Sequence, residues 1–199
     1  TKPIAYQLKD GQKAEVPVAY VSKDQGYGFE IGSYDKNAPL IIDPLLASTF
    51  IGGTGSDITF SLAIDSSGDI LVAGYTDGGS YPTTTGVYDQ VHNGSNDVYV
   101  SKLNSNLTTL NASTLIGGSG SDILRSLSID LSGNIFVAGY TDGSSYPTTT
   151  GAYDQTHNGS NDIFVSKLNS NLTTLSASTF VGGSNDDICF SLATDSSGN

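Results

Sequence analysis

Two histidines, His92 and His157, stand 65 residues apart in the same hexapeptide, His-Asn-Gly-Ser-Asn-Asp. An imidazole close before Asp97 or Asp162 suggests a base–carboxylate pair or a metal site. A catalytic pair is normally unique within a fold, however, and a pair that recurs in each copy points to a structural duty in a loop. Asp57, Asp122 and Asp187 follow Gly-Gly loops that offer carboxylates, hydroxyls and flexible carbonyls, the donors Ca²⁺ takes. The loops lack the alternating acidic pattern of an EF-hand, and a loop cap or Asx turn is the simpler reading. Asp65-Ser66-Ser67-Gly68-Asp69 reads first as a hairpin turn and only second as a cation loop. The stretch Ser80–Gln90 carries Tyr81 and Tyr88, matched by Tyr146 and Tyr153 in the next copy. Such rings suit stacking on sugars or contact with a protein, or else packing the loop down. No Ser-His-Asp order, phosphate-binding glycine loop, CxxC pair or paired-Glu motif is present. No residue is therefore assigned a catalytic, cofactor-binding or metal-binding role, and Ca²⁺ is the one cofactor the loops allow.

These residues sit in a strict repeat. Ser48-Thr49-Phe50-Ile51-Gly52-Gly53 returns as Ser113-Thr114-Leu115-Ile116-Gly117-Gly118 and as Ser178-Thr179-Phe180-Val181-Gly182-Gly183, at steps of 65 residues. Residues 48–112 and 113–177 align without a gap and share 51 of 65 positions. Each full copy holds four strand candidates. In the first these are Phe60–Ile64, Ile70–Thr76, Asp97–Leu103 and a fourth between Leu107 and Ile116. Apolar residues on both faces of Ile70–Thr76 predict a central strand, and the Ser/Thr-rich fourth strand predicts an outer one. Four antiparallel strands per unit of this length fit a β-propeller blade better than a solenoid rung. The core then lies between copies rather than inside one.

Composition agrees with an all-β chain. Glycine reaches 24 residues, Met and Trp are absent, and no apolar run approaches the roughly 18 residues of a membrane span. The net charge of −12 repels phosphate backbones, which argues against nucleic acid as a partner. The single cysteine, Cys189, cannot pair internally and is expected to be buried or half-buried. The chain opens without a signal peptide and stops inside the third copy, so it reads as a fragment.

Residues 1–46 lie outside the repeat. Strands are predicted at Ile4–Leu8, Ala14–Val21 and Tyr27–Ile31, with an Asp10-Gly11 hairpin turn and an edge or bulge at Pro17. Leu40–Ile42 reads as a short buried strand before Asp43-Pro44. The predicted architecture is thus all-β: a partial β-propeller of four-stranded antiparallel blades at about 55–118 and 119–183, a truncated one at 184–199, and a short N-terminal antiparallel β segment. The repeats as a whole occupy residues 47–199.

The repeat resembles the SBBP β-propeller repeats of bacterial surface and secreted proteins. The likeness rests on Ser48–Gly53 with Asp57, on Leu62-Ala63-Ile64-Asp65 with Gly68, and on Val72-Ala73-Gly74-Tyr75-Thr76. Tyr81-Pro82-Thr83-Thr84-Thr85-Gly86 and Asp97–Leu103 complete it. Residues 1–46 resemble the tail of the β domain that often precedes such repeats. The resemblance implies seven blades, an extracellular or cell-surface location, and adhesion or ligand binding without catalysis, the ligand being a protein or a glycan. It supplies no catalytic residues. A polysaccharide-acting enzyme with its catalytic residues elsewhere, and a plain spacer, are the competing readings. Ser48–Gly53, preceding any full blade, is expected to be a spare outer strand able to latch a ring. With its last face uncovered, the chain alone is expected to aggregate or to melt with low cooperativity.

Overall fold

The computed structural model describes residues 3–23, 26–43 and 47–195. Asp24-Gln25 between two predicted strands, Pro44 and the closing residues Ser196–Asn199 lie outside the described residues. Among the described residues the regular elements are strands, and no helix is long and apolar enough to cross a membrane. The chain divides into two compact units, Thr1–Thr49 and Phe50–Asn199.

The first unit begins with β1 (Ile4–Lys9) and β2 (Gln12–Val16), joined where Asp10 and Gly11 both take positive φ, 51° and 78°. Two such residues make the primed turn whose twist matches antiparallel strands. The strand expected across Ala14–Val21 is broken at Pro17. Proline has no N–H for a ladder, so β2 ends on β1 and β3 (Val18–Lys23) starts a separate hairpin with β4 (Gly26–Ile31). The Pro17 carbonyl instead accepts from Gly32 N at 2.7 Å. On the other edge of β1 lies β5 (Ile41–Asp43). Contrary to the expected burial of this segment, Ile41 is exposed, because β5 is an edge strand. Buried Gln7 ties the turn before β5: its amide donates to Asp35 O and Ala38 O and accepts from Asp35 N.

The second unit is two copies of one blade. The first runs β6 (Asp57–Ile64), β7 (Ile70–Thr76), β8 (Asp97–Leu103) and β9 (Leu110–Ile116), hydrogen-bonded in chain order. The second repeats this with β10 (Asp122–Ile129), β11 (Ile135–Thr141), β12 (Asp162–Leu168) and β13 (Leu175–Val181). As predicted, Ile70–Thr76 is central and the Ser/Thr-rich strand is at an edge. The β6–β7 and β10–β11 ladders each slip by one residue, between Thr59 and Ser61 and between Leu124 and Ser126. At the second slip Gly139 faces the bulged strand so closely that a Cβ there would lie 2.0 Å from Ile123 O, which only glycine tolerates.

The core lies between the sheets. Leu71, Ala73, Val98, Val100 and Ile116 of the first blade share one buried cluster with Leu127, Ile135, Val137, Phe164 and Leu168 of the second. By the period-two alternation of strands, the first blade turns one face to this junction and its other face away. That other face leaves Leu62 at 61% exposure, whereas its counterpart in the second blade, Leu127, is at 7% because it lies in the junction. Hydrogen bonds cross the junction as well: Leu127 N donates to Ser61 Oγ at 3.1 Å, Tyr88 N donates to Leu172 O at 2.8 Å, and Asp122 N donates to Asn96 O at 2.8 Å.

Leu172 is the tip of the β12–β13 turn, Asn169-Ser170-Asn171-Leu172. It takes a left-handed backbone, φ 58°, uncommon for a residue with a branched side chain, and its counterpart Leu107 does the same at 56°. Asn169 Oδ1 stabilises the turn by accepting from Thr173 N and Thr174 N. The conformation aims Leu172 into the first blade, where it is fully buried in the shared cluster with Val87 and Tyr88 packed against it. The sequence marks Asn104–Asn106 only as a turn; the signal it offered was the lone leucine inside a polar run.

Of the three Ser-Thr-x-x-Gly-Gly copies, the second and third end the edge strands β9 and β13, as expected. The first copy, Ser48–Gly53, forms no strand, and neither do residues 182–195 beyond an isolated bridge of Asp186 to Asn161. Cys189 is half-buried, with Sγ 3.5 Å from Ser191 O.

Truncating Leu172 to Ala empties a filled site and is expected to cost about 2–5 kcal/mol in urea unfolding. Leu107→Ala, on the open face, should cost under about 1 kcal/mol.

Candidate functional site

The long connection between the second and third strands of each blade is where the sequence places its chemistry. In the first blade it lies along the outer edge of β9. Thr84 N donates to Ser113 O and Leu115 N donates to Asp89 O, both at 3.0 Å, while Ser113 Oγ donates to Pro82 O at 2.7 Å. The second blade repeats these bonds between Thr149, Asp154 and Pro147 and the strand residues Ser178 and Phe180. The loop thereby satisfies an edge strand that would otherwise present open backbone groups.

The four loop tyrosines part company. Tyr81 and Tyr146 are buried, stacked at 4.2 Å on Tyr99 and Phe164, and hydrogen-bonded through their hydroxyls to Ser101 and Ser166. Burial holds both phenols well above their ordinary range. Neither ring is available to a sugar. Tyr88 is half-buried at the blade junction, and Tyr153 alone of the four is exposed, at 89%. Tyr153, Phe136, Val165, Lys167 and Ala177 line a cavity of about 400 Å³ on the second blade.

The histidines and the aspartates beside them do not pair. His92 Nε2 lies 3.2 Å from Thr76 O and His157 Nε2 lies 3.2 Å from Thr141 O. A carbonyl can only accept, so the proton sits on Nε2 in both rings. Asp97 and Asp162 are buried, and each accepts with Oδ2 from the backbone of the preceding loop, Asn93 N and Asn158 N. Their Oδ1 atoms accept no hydrogen bond. Asp97 Oδ1 instead presses on Gly117, where a Cβ would stand 2.6 Å away, so the first glycine of the Gly117-Gly118 pair has no room for a side chain.

Asp57, Asp122 and Asp187 each cap their own loop. Oδ2 accepts at 2.7 Å from Gly53 N, Gly118 N and Gly183 N respectively. Asp122, buried at the junction, also accepts from Thr141 Oγ1. Burial is the main cause pushing its carboxyl up to about 6; the two hydrogen bonds pull it down and Asp97 and Asp142 push it further up. Asp65 Oδ1 accepts from Ser67 N and Asp69 N, its main chain closes the turn with Gly68 at φ 81°, and Lys102 Nζ pairs with its Oδ2 at 2.7 Å. Among the described residues no three His, Cys, Asp or Glu side chains converge as a metal site would require.

A four-stranded blade repeated in register, with loop acids and histidines spent on backbone groups, defines the propeller type of repeat. Residues 48–82 and 113–147 match the SBBP family, described as a β-propeller repeat, and residues 1–45 match a domain of unknown function (DUF7948). The chain therefore carries SBBP β-propeller repeats behind such a domain. The second matched stretch starts in β9 of one blade and ends in the loop after β11 of the next, so the family unit itself spans the junction. No curated protein matches the chain.

Asp122 gives a pH signature. Its folded value is raised above the ordinary carboxylate value near 4, so ionising it costs stability. The cost is absent below about pH 4 and grows as pH rises through 6, reaching about 3 kcal/mol at most. Asp122→Asn is expected to remove that loss: the difference in unfolding free energy between the variant and the parent should rise between about pH 4 and 7 and then level off. A pH-independent difference contradicts the assignment.

Proposed function

We propose that the chain is a non-enzymatic β-propeller scaffold, extracellular or on a cell surface, used for adhesion or for binding a protein or glycan ligand. The supporting observation is repetition. His92 and His157, Asp97 and Asp162, and Asp57, Asp122 and Asp187 make the same backbone contacts in successive copies. A reaction centre needs a group used once, free to meet a substrate. Here each polar group that spacing singles out is already engaged in holding a loop. In this reading the chain works without a cofactor, and its strong negative charge keeps it away from nucleic acid.

A glycan array and a protein pull-down on the chain should return a ligand whose binding survives His92→Ala and His157→Ala. Hydrolysis of a polysaccharide panel that these substitutions abolish, with no ligand retained, overturns the reading.

A further inference from the structure

The two blades differ at few positions, and two of the exchanged residues meet at the mouth of the junction, beside the turn that carries Leu172. Where the second copy has Asn134 and Ser176, the first has Asp69 and Asn111. The exchange redirects the hydrogen bonds. In the second blade Asn134 closes its own hairpin: Nδ2 donates to Asp130 Oδ2 at 2.8 Å, and Lys167 Nζ lies 3.4 Å from the same oxygen. Asp69 has no side-chain donor to offer Asp65. Its Oδ2 instead accepts from Asn111 Nδ2 at 3.0 Å and lies 3.6 Å from Lys102 Nζ, which pairs more closely with Asp65 Oδ2 at 2.7 Å. The result is a polar cleft of about 330 Å³. Asp69, Lys102, Asn111 and Ala112 of the first blade form one wall, and Ser170 and Asn171 of the second form the other.

We propose that this cleft, between Asp69 and Asn111 on one blade and the Ser170-Asn171 tip on the next, binds a neutral sugar unit. Its volume falls within the roughly 300–1,000 Å³ of small-ligand sites. Among the described residues Asp69 Oδ1, Asn111 Oδ1 and the side chains of Ser170 and Asn171 hold no hydrogen bond. A carboxylate and two amides around one cleft accept from and donate to neighbouring hydroxyls, and the Lys102 ammonium donates to a further sugar oxygen. Two carboxylates, Asp65 and Asp69, against one ammonium leave the cleft net negative, in a chain whose net charge is −12. That balance repels a uronate or any other acidic sugar and admits a neutral one. The pairing of Asp69 with Asn111 also occurs once, whereas the loop acids and histidines recur in each copy. A recognition site can use such a single pairing, and a scaffold position has no need of it. The inference rests on the ligand-binding reading above and gives the ligand a chemical class and a place.

An NMR titration of the full chain with the methyl glycosides of glucose, galactose, mannose and N-acetylglucosamine, beside glucuronate, is the test. At least one neutral glycoside is expected to shift the Asn111, Ala112 and Asn171 amides saturably at millimolar concentration, and glucuronate to shift none. Asp69→Asn and Asn111→Ser install what the second copy carries at the same places, so the fold accepts both, as circular dichroism will confirm. Each should weaken binding at least about tenfold. Absence of a saturable shift with every neutral glycoside, equal binding of glucuronate, or folded variants that bind as the parent does overturns the proposal. A glycan or protein ligand held equally well by both variants overturns it while leaving the scaffold reading intact. Cleavage of a glycoside that Asp69→Asn abolishes does the reverse: the site stands and the non-enzymatic reading falls.

Discussion

A sheet whose central strands are apolar on both faces cannot stand in water by itself. Leu71 and Ala73 of β7 point to one side while Ile70 and Val72 point to the other, and β11 repeats the pattern with Phe136, Ala138, Ile135 and Val137. Each blade therefore needs a neighbour on both sides, and the stable unit is the stack. Fully burying one large apolar side chain is worth about 1.5–3 kcal/mol, so a junction that buries Leu71, Val100, Val137, Phe164, Leu168 and Leu172 together dominates the energetics of the second unit. The rest of the blade is arranged so that this contact forms in one register. The left-handed leucine turn, the Ser61 hydroxyl under Leu127 N, and the Tyr88 amide on Leu172 O all fix how one sheet lands on the next.

The same constraint accounts for much of the polar sequence that the copies share. Stacking sheets leaves their outer edges open, and the long loop closes that edge with backbone bonds along β9 and β13. A loop laid flat must in turn satisfy its own amides, and Asp97 Oδ2 accepts from Asn93 N while Asp89 Oδ1 accepts from Val91 N. Buried carboxylates are a costly means of holding a loop, as the raised Asp122 shows. They persist where a short acceptor must reach amides that no side-chain amide or hydroxyl could reach as compactly.

Much of this was legible in the sequence and some was not. The repeat, the four strands of each blade, their order and the edge position of the Ser/Thr-rich strand follow from periodicity and turn residues alone. Pro17 reads as an edge or a bulge, yet it ends one sheet and begins another, because a local rule says where a ladder fails and not where the chain goes next. The loop tyrosines look interchangeable by type; the register of the loop on β9 and β13 sends Tyr81 and Tyr146 inward, and the neighbouring Leu172 turn covers Tyr88 but not Tyr153. Leu107 and Leu172 were hidden because a single apolar residue in a polar turn has no period to betray it. Its partner lies in another repeat, 84 positions from Leu172 to Tyr88.

Tyr88 and Tyr153 offer a direct comparison within one molecule, since they share local sequence and differ in whether a neighbouring leucine turn meets their amide. Amide hydrogen exchange on the chain, dilute enough to be monomeric, measures that difference. If the blade junction organises the second unit, the Tyr88 and Leu127 amides exchange slowly and open with the same free energy, while the Tyr153 amide exchanges rapidly. Equal exchange at Tyr88 and Tyr153, or Tyr88 and Leu127 opening independently, would contradict the account.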